Sequence, residues 1–309
     1  MDIIALLNSM PGAIAQGLIW GVMAIGVYIT YRILDFADLT VDGSICTGGA
    51  VCVVMIKNGY SIAVAMLAAV LAGMLAGLVT GLLHTFMGIP AILSGILTQL
   101  GLYSVNLKIM GASNIALGTK IHRFISNRSV MGVAITDNSI FRVAILIAAL
   151  IALLYWFFGT SRGCAIRATG NNPAMSRAQG INTDANKLIA LMISNGFVAL
   201  AGALLSQFQG FADAQMGRGA IVIGLAAVII GEAVLGKLLS NFAVRLVGVV
   251  FGGIIYFIVY QTVIWLGLDT DMLKLLSAIV VAVFLAAPYW KGKVVRRKVH
   301  INKGGSVNA

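Results

Sequence analysis

Long uncharged apolar runs alternate with short polar stretches along most of the chain. A helix needs about 20 mainly apolar residues to cross a hydrocarbon core of about 30 Å. The runs are continuous and do not alternate residue by residue, so they predict membrane-spanning helices rather than barrel strands. Two further runs, residues 43–56 and 219–236, are short or interrupted by glycine. We therefore expect about eight transmembrane helices with broken or re-entrant segments among them. The full runs cover residues 11–31, 62–86, 91–107, 143–158, 187–212, 244–266 and 273–289.

The composition predicts the same fold class. Of the 309 residues, 60% are hydrophobic and 10% are charged, and the mean hydropathy is +1.00. Soluble domains carry about 25% charged residues, so a soluble fold would leave apolar surface that it could not bury. We predict an all-α polytopic membrane protein with one transmembrane domain over residues 1–290 and a basic cytoplasmic tail over residues 291–309.

The net charge of +11 is spread over the loops and the tail, which is typical of cytoplasmic loops and not of a nucleic-acid interface. With residues 161–187 and the tail placed inside, thirteen of the 21 Lys and Arg residues fall inside and the N-terminus falls outside. The three cysteines and three histidines are scattered along the chain. We therefore expect no metal site.

An acidic cluster follows the first apolar run. Asp35, Asp38 and Asp42 are spaced three and four residues apart, so on a helix they would share one face. Either the second span begins early and takes Asp38 and Asp42 into the protein interior, or the helix is broken here. Discontinuous helices often mark transport sites, and carboxylates within a membrane are functional more often than not. The alternative is that they cap a helix at the interface.

The longest polar stretch, residues 161–187, predicts a short helix with a stop at each end. Asn171 and Asn172 can cap its start, and Pro173 fits the first helical position. Gly180 fits the left-handed residue that ends a helix, and a second helix starts at Thr183. Capping alone leaves two interpretations open, an ordered loop or a contact surface for a soluble partner.

Polar side chains inside the apolar runs are the candidates for a translocation pathway. Each has the alternative role of a hydrogen-bonded bridge between helices, and for Asn106 in the fourth run we expect bridging. The glycines of the third run, spaced four apart, predict a close helix contact. The pathway candidates are Asp35, Asp38, Asp42, Gln99, Asn195, Gln207 and Gln261.

Catalytic and nucleotide-binding motifs are not convincing. Residues 231–237 match GxxxxGK, but Leu238 follows in place of the Ser or Thr that would bind Mg²⁺. A nucleophile paired with a base is not evident either. We expect that the chain is not an enzyme, and that uphill transport would draw on an ion gradient or on another subunit.

Four segments resemble the permease subunits of bacterial ABC importers of the branched-chain amino acid and ribose class. They are residues 17–44, 161–183, 201–204 and 224–236, and they span most of the chain. The stretch Asp35-Phe36-Ala37-Asp38-Leu39 stands where that family's amino-acid permeases usually have Asn-Phe-Ala-His-Gly. This form is similar to a branch associated with tryptophan or tyrosine uptake.

The resemblance implies the fold of a type II ABC importer permease in a bacterial inner membrane, carrying a small polar solute, with an aromatic amino acid favoured. It implies a homodimer, a cytoplasmic ATPase dimer that holds ATP and Mg²⁺, and an extracytoplasmic binding protein, with no cofactor in this chain. Arg123, Arg128, Arg218 and Lys274 are the candidates for docking the binding protein. The coupling helix to the ATPase would comprise Asn171, Asn172, Pro173, Ala174, Met175, Ser176, Arg177, Ala178, Gln179 and Gly180.

The alternative is an ion-coupled secondary transporter that uses Asp35, Asp38 or Glu232 as a proton or Na⁺ site. Such a protein would transport without any ATPase. An intramembrane enzyme is a third class, but the sequence supplies no catalytic constellation for it.

Overall fold

The computed structural model describes residues 3–118, 123–126, 138–235 and 241–266, together with Leu275, Ala278, Ile279, Ala282 and Ala286. Within these residues the α-helices are α1 (Ile3–Tyr28), α2 (Val41–Lys57), α3 (Ile62–Thr85), α4 (Ala91–Met110), α5 (Ser139–Gly159), α6 (Ser161–Asn171), α7 (Pro173–Ala178), α8 (Thr183–Gln209), α9 (Ala220–Leu235) and α10 (Phe242–Trp265). A π-helical turn, Ile29–Ile33, extends α1, and two short strands are β1 (Asn114–Ala116) and β2 (Phe211–Asp213).

Five of the described helices are long and apolar enough to cross a membrane. They are α1 with its π-helical turn, α3, α5, α8 and α10. At 17 residues α2 is short, as the run 43–56 predicted, and α9 has only 16 residues. The 20 residues of α4 include several polar side chains. The predicted last span, residues 273–289, lies almost wholly outside the described residues.

The central helix is α8, which packs against α1, α2 and α3. Gly73, Gly77 and Gly81 of α3 face it, and a Cβ on Gly77 would overlap the backbone carbonyl of Leu191. The predicted glycine face of the third run is therefore confirmed, and α8 is its partner. Helices approach this closely only through small residues, which favour van der Waals contact between backbones inside a membrane.

The two ends of the bundle are marked by different contacts. At one end, here called the α7 end, Gly170 of α6 packs against the backbone of Ile33, and the Nζ of Lys187 lies 3.2 Å from the Nε2 of His84. The opposite end carries the strands and is called the sheet end. Because α1 runs toward the α7 end, its first residues lie opposite α7, in agreement with the side predicted from charge.

The sequence pattern did not predict the two strands. Strand β1 follows α4, β2 follows α8, and they pair antiparallel with Ile115 opposite Ala212. Buried apolar residues of α2, among them Ala50 and Val53, form a cluster with residues of both strands. The pairing satisfies backbone groups that would otherwise be left open where two helices end.

Candidate functional site

The helix breaks between α1 and α2. Ile33 ends the π-helical turn, Asp35 has a positive φ of 54°, and the chain then stays non-helical as far as Thr40. Asp35, Asp38 and Asp42 therefore do not share one helix face, and of the two alternatives the structure shows the broken helix. Asp35 is exposed, Asp38 is buried and Asp42 lies in the first turn of α2. A short polar side chain tolerates the left-handed conformation better than most, which suits Asp35 to this position.

Asp38 is 1% exposed, and each of its carboxylate oxygens accepts a hydrogen bond. Its Oδ1 accepts from the backbone N–H of Thr40 at 2.9 Å, and its Oδ2 accepts from the Nδ2 of Asn195 at 2.7 Å. The Oδ1 of Asn195 in turn accepts from the Oγ of Ser44 at 2.6 Å. Two of the predicted pathway residues, Asp38 and Asn195, therefore join the helix break to α8, and the bridging alternative describes their contacts.

A chain of hydroxyls continues the network from the break to α3 and α4. The Oγ1 atoms of Thr40 and Thr80 are 2.7 Å apart, and Thr80 donates to the Oγ1 of Thr98 at 2.9 Å. Sequence reasoning missed these residues. A threonine inside an apolar helix can bond its own helix as well as a neighbour, so the sequence carries no signal that separates the two cases.

A cavity of about 290 Å³ opens on the sheet side of the break. It lies between α2, α4 and the loop that joins β2 to α9. The structure brings together two predicted pathway residues, Asp42 and Gln99, and one predicted docking residue, Arg218. Sequence reasoning missed two further lining side chains, those of Tyr103 and Gln215. The polar side chains that line the cavity are Asp42, Gln99, Tyr103, Asn106, Gln215 and Arg218.

Asp42 caps the start of α9. Its Oδ1 accepts from the backbone N–H of Ile221 at 2.9 Å and its Oδ2 from that of Gly219 at 3.0 Å. A carboxylate is favoured there, because the first N–H groups of a helix lack partners within the helix and carry partial positive charge. A carboxylate has about four acceptor positions, so Asp42 has room for a further donor. Asp42 therefore fixes α9 and also lines the cavity.

Asn106 is wholly buried, and neither its Nδ2 nor its Oδ1 has a partner among the described residues. The expectation that Asn106 bridges two helices is wrong for this part of the chain. It lines the cavity together with Gln99 and Tyr103, which are spaced to lie on one face of α4. A buried amide without partners is unfavourable. The Nδ2 and Oδ1 of Asn106 would gain hydrogen-bond partners when a polar molecule enters the cavity.

The remaining predicted residues lie elsewhere. Gln207 is buried and accepts from the backbone N–H of Phe124 at 3.0 Å, so it fixes a loop. Gln261 is half-buried on α10 and does not line this cavity. Arg123 donates to the carbonyl of Leu117 at 3.1 Å. Arg128 and Lys274 lie outside the described residues.

The three carboxylates of the ion-coupled alternative have separate surroundings. Glu232 pairs with Arg32 at 3.0 Å near the α7 end, and Asp38 bonds Thr40 and Asn195, while Asp35 is exposed. Among the described residues no group of three or more His, Cys, Asp or Glu side chains is arranged to hold a metal ion.

The predicted short helix is present as α7. The Oδ1 of Asn172 accepts from the backbone N–H of Met175 at 3.0 Å, Pro173 is the first helical residue and Gly180 has a φ of 76°. One boundary was wrong, since Asn171 is the last residue of α6, a helix that the sequence pattern did not predict. Weak amphipathic character in a short polar helix leaves little periodic signal.

Comparison with known proteins decides the family. The family model described as branched-chain amino acid transport system / permease component matches residues 9–287. The chain belongs to this family. It is a multi-pass permease of the ABC transporter type, and the resemblance and fold class predicted from the sequence are confirmed.

Two relatives and one solved structure illustrate the relationship. The tyrosine transport system permease protein of Clostridioides difficile (strain R20291) is 40% identical over 280 residues, which are 91% of each chain. The guanosine ABC transporter permease protein NupP of Bacillus subtilis (strain 168) is 31% identical over 138 residues, 38% of this chain and 40% of that protein. The structure "PsaBC from Streptococcus pneumoniae in complex with Fab" covers 92% of this chain and 95% of its own, with a TM-score of 0.50 at 14% identity. That likeness concerns the fold alone.

Proposed function

We propose that this permease is the membrane subunit of an ATP-driven importer and carries a zwitterionic amino acid, with an aromatic side chain favoured. The observation that carries the proposal is the cavity between α2 and α4. It is lined by the carboxylate of Asp42, the guanidinium of Arg218 and the unpartnered amide of Asn106. A free amino acid carries an ammonium and a carboxylate group, and these match the two charges of the lining. Tyr103 adds an aromatic ring, and the tyrosine permease relative supports an aromatic substrate.

Energy for transport would come from a separate cytoplasmic ATPase dimer that binds ATP and Mg²⁺. We assign the docking helix to α7, with Asn172 as its N-cap and the turn at Gly180 as its exit. A short capped helix can transmit a rigid displacement, because both of its ends are held. A second copy of this chain would complete the pathway in a bacterial inner membrane, and an extracytoplasmic binding protein would deliver the solute.

The substrate assignment is tested by uptake into vesicles that contain the permease, its ATPase and its binding protein. Tyrosine, tryptophan and leucine are compared in the wild type and in Arg218→Gln and Asn106→Leu. Losing one charge-assisted hydrogen bond removes about 1.5–3 kcal/mol, so we expect uptake to fall by roughly tenfold or more. Gln209→Leu is the matched control, because Gln209 is exposed at the end of α8 and does not line the cavity. Unchanged uptake in both cavity variants would contradict the proposed site.

The coupling assignment is tested by copurification with the ATPase and by stimulation of ATP hydrolysis. Asn172→Ala removes the N-cap, and Gly180→Val strains a backbone held at positive φ. Both are expected to weaken stimulation. Gly159→Ala is the control, since open space surrounds the position where a Cβ would stand. Uptake by the permease alone, driven by an ion gradient, would refute ATP coupling and assign the ion-coupled mechanism.

A further inference from the structure

We propose that a groove at the α7 end binds the phosphate group of an anionic lipid. The groove has a volume of about 500 Å³ and lies between the end of α1 with its π-helical turn, α6 and the start of α10. Three arginines line it, one from each of these elements: Arg32, Arg167 and Arg245. The proposal needs only that the chain lies in a membrane, and it does not depend on the transported solute.

The groove carries an excess of positive charge. Arg32 is paired with Glu232 at 3.0 Å, and its side chain is still 57% exposed. Arg167 makes no ion pair or hydrogen bond through its guanidinium among the described residues, while Arg245 has partners of its own. Among the described residues, three guanidinium groups line the groove and one carboxylate, that of Glu232, pairs with one of them. An anionic ligand would place its negative charge beside the guanidinium of Arg167.

The guanidinium group of Arg167 is held in place by aromatic rings. The Cζ of Arg167 lies 4.4 Å from the ring centroid of Phe242 and 5.4 Å from that of Phe158. Stacking on a ring face fixes the plane of a guanidinium and leaves its N–H edge open. The planar fork of arginine matches two phosphate oxygens, so a positioned arginine loses little conformational entropy when it binds one.

The position along the bundle favours a lipid phosphate. Tyr28 is the last residue of α1 and Phe242 the first residue of α10, two of the membrane-spanning helices. Beside Phe158, at the same end of α5, Tyr155 is 57% exposed and Trp156 is 69% exposed. Exposed Tyr and Trp side chains are enriched at the headgroup level of a bilayer. The arginines therefore lie where lipid phosphates lie, and basic pockets between spans on the cytoplasmic side are suited to anionic headgroups.

The binding experiment uses the full chain purified in detergent and observed by native mass spectrometry. Phosphatidylglycerol is titrated against phosphatidylcholine in the wild type and in Arg167→Gln and Arg245→Gln. Each substitution is expected to weaken phosphatidylglycerol binding by about fivefold and to leave phosphatidylcholine binding unchanged. Arg162→Gln is the matched control, because Arg162 is exposed on the same helix α6 and does not line the groove. Arg167→Lys keeps the charge and is expected to retain most of the binding.

The outcomes separate the sources of the phosphate. Phosphatidylglycerol that binds the glutamine variants, the control and the wild type equally would overturn the proposal. Displacement of the lipid by inorganic phosphate at millimolar concentration would support the phosphate site and assign it to a soluble ligand. If Arg167→Gln and Arg245→Gln still bind the lipid but no longer copurify with the ATPase, the lipid assignment would be overturned in favour of a protein contact. Size-exclusion profiles of all variants show whether each one is folded.

Discussion

Replacing Asn195 with alanine should destabilise the permease through the buried carboxylate of Asp38. Asn195 lies in the middle of α8 and is wholly buried. Its Nδ2 donates to the Oδ2 of Asp38 at 2.7 Å, and its Oδ1 accepts from Ser44 at 2.6 Å. Alanine removes both contacts and leaves one oxygen of a buried acid without its donor.

The size of the effect follows from these two bonds. The Ser44 hydroxyl can donate to a carbonyl of its own helix instead, so losing its hydrogen bond to Asn195 costs little stability. A hydrogen bond to a charged group is worth about 1.5–3 kcal/mol, which exceeds the average of about 0.6 kcal/mol for hydrogen bonds between helices in a membrane. We therefore expect Asn195→Ala to cost about 1.5–3 kcal/mol, or roughly 3–9 °C in Tm at about 2–3 °C per kcal/mol.

The measurement is thermal unfolding in detergent, followed by the fraction of the chain that remains folded on size exclusion. Ser206→Ala is the matched control on α8, since the Ser206 hydroxyl is buried and, within the described part of the chain, bonds only the carbonyl of Ala203, three residues away on its own helix. Asp38→Ala combined with Asn195→Ala should cost less than the sum of the two single variants. Strict additivity, or a shift no larger than that of Ser206→Ala, would refute the reasoning.

Three further predictions concern single positions. Gly77→Ala should destabilise the protein by about 1–3 kcal/mol through overpacking against α8. Gly101→Ala should stabilise α4 by up to about 1 kcal/mol, because open space surrounds the position of the added Cβ. Thermal unfolding should therefore show a lower Tm for the first variant and a higher Tm for the second. Asp42→Ala should cost about 1–2 kcal/mol, because the start of α9 loses both acceptors, and Asp42→Asn should cost less since it keeps one oxygen; equal Tm values for the two variants would contradict the cap. Asn106→Leu should leave Tm unchanged or raised, because its amide has no described partner to lose, and a large fall in Tm would show a missed partner.

Most of the helices could be predicted because their causes are local. A continuous apolar run can satisfy its backbone in a bilayer only as a helix, so the approximate bounds of the long described helices follow from hydropathy. The ends of α7 were also predictable, since Asn172, Pro173 and Gly180 act within a few residues of their own positions. The helix α6 was missed, because a short polar helix is held by its neighbours and lacks a strong pattern of its own.

The candidate site was predictable in composition and not in arrangement. Asp42, Gln99 and Arg218 were singled out as polar residues near or within spans, but the sequence assigned them to different roles. Their common cavity exists because α2, α4 and the loop before α9 meet, at positions up to 176 residues apart in the chain. Asn106 and Asn195 have the same side chain, yet the amide of Asn195 is hydrogen-bonded through both its Nδ2 and its Oδ1, whereas that of Asn106 has no described partner. Hydrogen-bond satisfaction depends on neighbours from other helices, which the local pattern does not contain.

The sequence by itself determined that this chain is an α-helical membrane permease with a capped helix in a polar loop, and it left a helix break after the first span as one of two alternatives. Hydropathy, caps and glycine spacing are one-dimensional signals whose physical effect acts within a turn or a span. Only the tertiary structure decided which face of each helix is buried and that Asp35 is exposed while Asp38 is buried. It also decided which polar groups meet at the cavity and at the three-arginine groove. Those features arise where separate helices pack together, and their energies depend on distances that sequence spacing does not fix.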